Sequence, residues 1–259
     1  MRIKLTLQHK PNSTLPINYA YPISAMIYKM LAKANPEFSK WLHAQGWGHH
    51  GKHYKLFTFS QLSPTYFRIN RDRITLVESP TYLTISFLMN GAMGHFIEGL
   101  FNEQKFGLGD KKSQADFVVS SVDILPEIDF SERMKFKLTS PVVVSRQLET
   151  DKHAQYLHPI NDQIDYTNQV FANLLNKYTA YHGPLNNNTD LQLDMSQLKI
   201  LTKPSSKLVS IKSDTPQATK IRGYNFDFEI IGAPELIKIG YYSGFGEKGS
   251  MGFGFAELW

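Results

Sequence analysis

Residues 1–34 read MRIKLTLQHKPNSTLPINYAYPISAMIYKMLAKA, and a change of rhythm inside this stretch decides the fold. Ile3, Leu5 and Leu7 alternate with Arg2, Lys4 and Thr6. Alternation of this kind is the mark of a half-buried strand, here with a basic outer face. A turn-like segment, HKPNSTLP (9–16), follows. Beyond it the apolar residues fall at Ile23, Met26, Ile27, Met30 and Leu31, the spacing of one face of a helix. That helix stops near Asn35, because Pro36 disfavours helical geometry in the residue before it. Asn35 then caps a second helix with Pro36 in its first turn and Phe38, Trp41 and Leu42 on its apolar face; Gly46 ends it.

Working outward, GWGHHGKH (46–53) is a loop by composition. YKLFTFSQL (54–62), YFRINRDRITLVE (66–78, a hairpin turning at 70–73) and TYLTISFLM (81–89) read as strands. GAMGHFIEGLFNE (91–103) has helical spacing, and ADFVVSSVDIL (115–125) is a further strand. Strand, helices, strands, helix, strand is the split βαβ, ferredoxin-like plan. The pattern restarts near Pro126. ERMKFKLTSPVVVSR (132–146) gives two strands, and residues 160–183 one long helix with Ile164, Phe171, Leu174, Leu175 and Tyr178 inward. LQLDMSQLKIL (191–201), SKLVSIKS (206–213) and GYNFDFEIIG (223–232) are strands; a short helix opens at Pro234, and FGFAELW (253–259) is the last strand. The expectation is an α+β protein of two tandem ferredoxin-like domains, 1–125 and 126–259, with a C-terminal glycine-rich loop.

The 259 residues suffice for two small cores. No run of about eighteen apolar residues is present, so no membrane span is expected. The N-terminus lacks the apolar stretch of a secretion signal. There is no cysteine, which excludes disulfides and thiolate zinc sites and fits a cytoplasmic location. The net charge of +5 favours polyanionic partners.

Gly244, Gly246, Gly249, Gly252 and Gly254 crowd the end of the chain. Glycine buries almost nothing and loses the most backbone entropy on folding, so a core has no use for this stretch. Something approaches its backbone closely, or the chain bends sharply. Successive amides and Lys248 can form an anion nest, although the glycines alone also fit plain turn geometry. The loop lies between a short helix and a last strand, unlike a Rossmann or Walker site. Arg133, Lys135 and Lys137 alternate and so share one strand face, a candidate polyanion surface. Arg68, Arg71, Arg73, Lys111, Lys112, Lys203, Lys207, Lys212, Lys220 and Arg222 spread positive charge over both halves.

His43 lies in the last turn of the second helix, where the dipole favours a protonated imidazole suited to proton transfer. Tyr28 stands beside the apolar stripe of the first helix, and Lys55 begins a strand. Consecutive elements usually lie adjacent, so these three can meet. Each also has an ordinary use, as helix cap, half-buried aromatic or solvated charge. His49, His50 and His53 are interrupted by glycines and have no carboxylate among them, which argues against a zinc site.

Three stretches together, YPISAMIYKMLAKANPEFSKWLHAQG (21–46), YKLFTFSQL (54–62) and GYYSGFGEKGSMGFGFAEL (240–258), resemble the CRISPR-associated endoribonucleases that cut precursor CRISPR RNA within its repeats. The last of them looks like the glycine-rich signature of the repeat-associated RNA-binding superfamily. The resemblance implies metal-independent cleavage without cofactor. The ribose 2′-hydroxyl attacks the adjacent phosphate, and a 2′,3′-cyclic phosphate remains. It implies Tyr28, His43 and Lys55 as catalytic residues, with His43 the general acid or base, Tyr28 a hydrogen-bonding or base partner and Lys55 the charge stabiliser. It also implies RNA contacts from Gly244, Gly246, Lys248, Gly249, Gly252 and Gly254, and the basic strand is expected to help read the repeat. Nearby His49, His50, Lys52 or His53 can replace a member of the trio. The expected partners are CRISPR repeat RNA and other effector subunits, with the chain a monomer or homodimer. The alternative is a non-catalytic RNA-binding subunit of a CRISPR effector complex.

Overall fold

β1 (Arg2–His9) is the centre of the first sheet in this computed structural model, which describes residues 1–147, 154–184, 191, 196–211 and 218–259. After β2 (Ser13–Pro16) come α1 (Ala20–Ala34) and α2 (Pro36–Ala44), then the short strands β3 (Trp47–His49), β4 (Lys52–Tyr54) and β5 (Phe57–Phe59). β6 (Ser63–Asn70), β7 (Arg73–Phe87), α3 (Asn90–Asn102), β8 (Lys105–Gly109) and β9 (Gln114–Ile124) complete this half. The sheet runs β2-β7-β1-β9-β8, with β5 and β6 also on β7. Ile3, Leu5 and Leu7 are fully buried in one core with Ile23, Ile27, Leu31, Met93 and Phe96, as their spacing predicts.

β10 (Arg133–Leu138) is the centre of the second sheet. It is followed by the hairpin of β11 (Ser145–Gln147) and β12 (Ala154–Tyr156), then α4 (Gln163–His182). β13 (Gln197–Ile200), the hairpin of β14 (Ser205–Ile211) and β15 (Thr219–Asn225), β16 (Asp227–Ile231), α5 (Pro234–Ser243) and β17 (Ala256–Leu258) follow. The sheet order is β13-β16-β10-β17. Connectivity matches between the halves. The series β1, α1, β6, β7, α3, β9 builds the order β6-β7-β1-β9, and β10, α4, β13, β16, α5, β17 builds β13-β16-β10-β17. No described helix is long and apolar enough to cross a membrane.

Several elements differ from the sequence reading. Residues 73–87 form one strand rather than two, running through Pro80. GYNFDFEIIG divides at Phe226 between β15 and β16, which belong to different sheets. The loop GWGHHGKH pairs into the β3–β4 hairpin. Lys55 does not begin a strand: it lies in the link to β5, where Leu56 adopts a left-handed φ of 51° that interrupts the extended run. Ile164 is exposed on the first turn of α4, while Val170, Phe171 and Leu174 face the core. Lys212, residues 192–195 of the stretch LQLDMSQLKIL and the end of SKLVSIKS lie outside the described residues.

Arg2 is the largest departure. The alternation assigns it to a basic outer face, yet it is only 3% exposed. The second half covers that face of β1 at this residue. The guanidinium donates to the Ala256 carbonyl at 2.7 Å, to the Tyr241 carbonyl and to Ser86 Oγ at 3.3 Å. It also stacks over the Tyr241 ring, 3.2 Å from its centroid. Ser86 in turn donates to the Tyr242 carbonyl at 2.9 Å, so the two halves are joined by buried, satisfied polar contacts.

Candidate active site

The site is assembled at the C-terminal end of α2. Asn35 starts this helix as its sequence implies, its side chain accepting from the Phe38 amide at 2.9 Å. Leu42 is buried and His43 emerges into solvent in the last turn of the helix. Gly46 turns the chain with φ of 62°. A Cβ there would stand 2.5 Å from the Tyr54 carbonyl and 3.1 Å from Lys55 Cδ, so only glycine lets the following hairpin return so close. This return carries Lys55 to the helix end, where its ammonium donates to the His43 carbonyl at 2.9 Å.

Tyr28 completes the group from α1. Its ring meets the His43 imidazole edge-on, with centroids 5.0 Å apart, and packs against Phe57 of β5 at 5.6 Å. The Ser39 hydroxyl bridges the two helices by donating to the Tyr28 carbonyl at 2.9 Å. Burial pushes the Tyr28 phenol well above its ordinary value, which keeps it protonated. A protonated phenol of this kind can donate a hydrogen bond. Partial burial lowers the Lys55 ammonium from its usual range. An exposed imidazole, a protonated phenol and a half-buried ammonium thus share one surface, which is the equipment for proton transfer beside an anion.

The family model described as "CRISPR-associated protein Cas6, N-terminal" matches residues 14–123, and that described as "CRISPR associated protein Cas6, C-terminal" matches residues 125–258. The chain belongs to the Cas6 family of CRISPR-associated endoribonucleases. A relative from Methanocaldococcus jannaschii named CRISPR-associated endoribonuclease Cas6 1 is 30% identical over 98% of this chain and 91% of its own length. A solved structure named CRISPR associated protein Cas6 superposes with a TM-score of 0.76 at 30% identity, covering 100% of this chain and 99% of that one. The structure of a Cas6-related protein from Pyrococcus furiosus gives a TM-score of 0.83 at 24% identity, with 100% and 98% covered.

In this Cas6-family chain the glycine-rich stretch lies between α5 and β17 as the sequence implies, but it is packed into the interior, which the sequence reading denied it. Gly244, Gly246, Gly249, Gly252 and Gly254 are all buried, and the space beside each is filled by the protein itself. A Cβ on Gly254 would lie 1.9 Å from the Phe245 carbonyl oxygen, and one on Gly252 would lie 2.5 Å from the Phe59 ring. A core does use this stretch. The close approach and sharp bends are real, but the approaching backbone belongs to this chain. Lys248 is exposed. The 3₁₀ turn Gly249–Met251 reaches the trio: Ser24 of α1 donates to the Ser250 carbonyl at 2.7 Å, and the Ser250 side chain lies near the Tyr28 phenol, where it opposes part of the upward shift. Ser250 carried no sequence signal beyond its place in the loop.

Arg133, Lys135 and Lys137 do share an exposed face of β10. Each also stands beside a carboxylate. Lys135 is opposite Glu229, Lys137 is opposite Asp227 and Glu257, and Arg133 approaches Glu229 at 3.7 Å. Cross-strand pairing accounts for the triple, and it offsets the positive field expected there. Of the arginines at the β6–β7 hairpin, Arg73 pairs with Asp110 at 2.7 Å. The His49 and His50 rings lie 4.0 Å apart, tilted at 56°, in the β3–β4 hairpin, with His53 on β4.

Proposed function

We propose that this chain cleaves CRISPR repeat RNA by transesterification within the strand. His43 takes the proton of a ribose 2′-hydroxyl as that oxygen bonds to phosphorus. The P–O5′ bond then breaks, and the departing 5′-oxygen is protonated from solvent. A 2′,3′-cyclic phosphate is left. Lys55 opposes the charge that builds on the phosphoryl oxygens, and Tyr28 holds the imidazole edge and supplies a hydrogen-bond donor. Nothing in this scheme requires a metal ion. The meeting of Tyr28, His43 and Lys55 at one helix end carries the proposal, because a purely RNA-binding subunit needs no such combination. The shared connectivity supports reading residues 1–125 and 126–259 as two ferredoxin-like domains. Lys248, exposed two residues from Ser250, is the loop's charge available to a phosphate.

Incubation with candidate repeat RNAs, followed by mapping of the cut and its end chemistry, tests this reading. His43→Ala is expected to lower single-turnover cleavage by at least about 10²-fold while RNA affinity stays within a few-fold. Cleavage is expected to survive EDTA. Full activity of the His43→Ala chain, or a product lacking the cyclic phosphate, refutes it.

A further inference from the structure

Lys177 is a long, charged side chain on the second half of the molecule, yet it is 4% exposed and surrounded by core residues of α4 and α5. Its ammonium donates to two carbonyls of the glycine-rich stretch, Gly244 at 2.6 Å and Gly246 at 2.8 Å. The next residue, Glu247, is fixed as well. Its amide donates to the Val143 carbonyl at 2.8 Å, and its carboxylate accepts from the Ser145 amide and hydroxyl at 2.9 and 2.8 Å. A buried amine is costly unless its hydrogen bonds are used, and a stretch this rich in glycine has little stiffness of its own. The staple therefore sets where the stretch leaves the second half.

What lies beyond the staple is the turn Gly249–Met251. Gly249 is wedged between the Ser243 and Phe57 carbonyls, Ser250 is tied to Ser24 through its carbonyl, and its side chain lies near the Tyr28 phenol. Phe57 belongs to β5, two residues after Lys55. The turn thus contacts both elements that flank His43.

We propose that Lys177 is a positioning residue for RNA cleavage: by stapling Gly244 and Gly246 to α4 it holds the Gly249–Met251 turn against α1 and β5, and so fixes the Tyr28 hydroxyl beside His43. This rests on the function proposed above. Lys177 touches no reacting atom, so it acts on the rate of the bound complex and not on affinity.

The test uses the full chain and a repeat RNA that the wild type cleaves. Lys177→Met keeps the stem and removes the donors. Its single-turnover rate is expected to fall at least tenfold, with the RNA dissociation constant within about threefold of wild type. In a Tyr28→Phe background the same change is expected to cost less than threefold, since the hydroxyl it positions is already gone. Lost rate in proportion to lost affinity, or full additivity with Tyr28→Phe, overturns the inference and leaves Lys177 a structural residue. Should Lys177→Met fail to fold, Ser24→Ala removes the other anchor of the turn. It must show the same rate loss, unchanged affinity and non-additivity, and wild-type rates in that variant overturn the inference equally. A wild-type chain that cleaves no repeat RNA sinks the functional reading instead, a result distinguishable from a normal wild type with an unaffected Lys177→Met.

Discussion

Lys55 serves the α2 helix end and, in the chemistry proposed here, a phosphate as well; substitution separates the two. Replacing it by Met removes a charge-assisted bond to the His43 carbonyl at a part-exposed helix terminus, worth about 1 kcal/mol of stability. The same change removes a cation from the developing charge, for which a loss of about 10²-fold in rate is expected. Single-turnover cleavage and a denaturant midpoint, measured on the same variant, check both. A stability loss without a rate loss leaves Lys55 a helix cap. Tyr28 and His43 were legible in the sequence because each sits at a fixed point of a strongly patterned element, Tyr28 beside the stripe of α1 and His43 in the last turn before Gly46, whereas Lys55 was placed at a strand start that the structure does not have. Tyr28's protonation was not legible, since it follows from burial in the tertiary structure, where its ring packs on His43 and Phe57.

Glycine at the scale of an element has opposite meanings in two places. In α3, a Cβ on Gly94 would meet nothing within 4 Å, so the residue only weakens the helix. Gly94→Ala is expected to stabilise the chain by about 0.5–1 kcal/mol. Gly254 has φ of 70°, and its Cβ would collide with the Phe245 carbonyl. Gly254→Ala is expected to destabilise by about 3 kcal/mol or more, through both strained backbone and displaced neighbours. Urea unfolding of the two variants, with opposite signs of change in midpoint, checks the pair. Equal and small effects would mean that the C-terminal stretch yields readily and is not part of the packed interior. The density of glycine was plain in the sequence. Which atoms crowd them was not, because Phe59 and Val143 approach Gly252 and Gly246 from distant elements. Regular elements fared better where periodicity was strong, as in α1 and β1. They fared worse where backbone conformation broke the pattern, as Leu56 does before β5.

The described residues form two main cores written in sequence periodicity, a small third cluster around Val143, Ile221 and Phe253, and a junction that periodicity does not record. Arg2 and Lys177 show why: both are charged, Arg2 reads as an outer-face residue, and both are buried by partners remote in sequence. Such burial leaves a signature in the pH dependence of stability. Desolvation lowers the Lys177 ammonium to about 7, from 10.5 in the open chain, with Glu247 opposing the shift. Between these values the unfolded chain binds the proton that the folded chain has released. Stability therefore rises with pH over this window, by up to about 1.4 kcal/mol per pH unit from this one group, and the gain is absent below pH 7. The N-terminal amine, lowered to about 6 by burial, adds a slope of the same sign at lower pH, so the wild type alone does not isolate Lys177. Tyrosines pushed upward by burial, Tyr19 to about 12, reverse the sign above pH 10. The comparison that resolves Lys177 is unfolding free energy for wild type and Lys177→Met at half-unit steps from pH 6.5 to 9.5. The wild-type curve is expected to climb relative to the variant across this interval. Parallel curves would place the Lys177 proton on the folded chain throughout, held by the two carbonyls more firmly than burial opposes it.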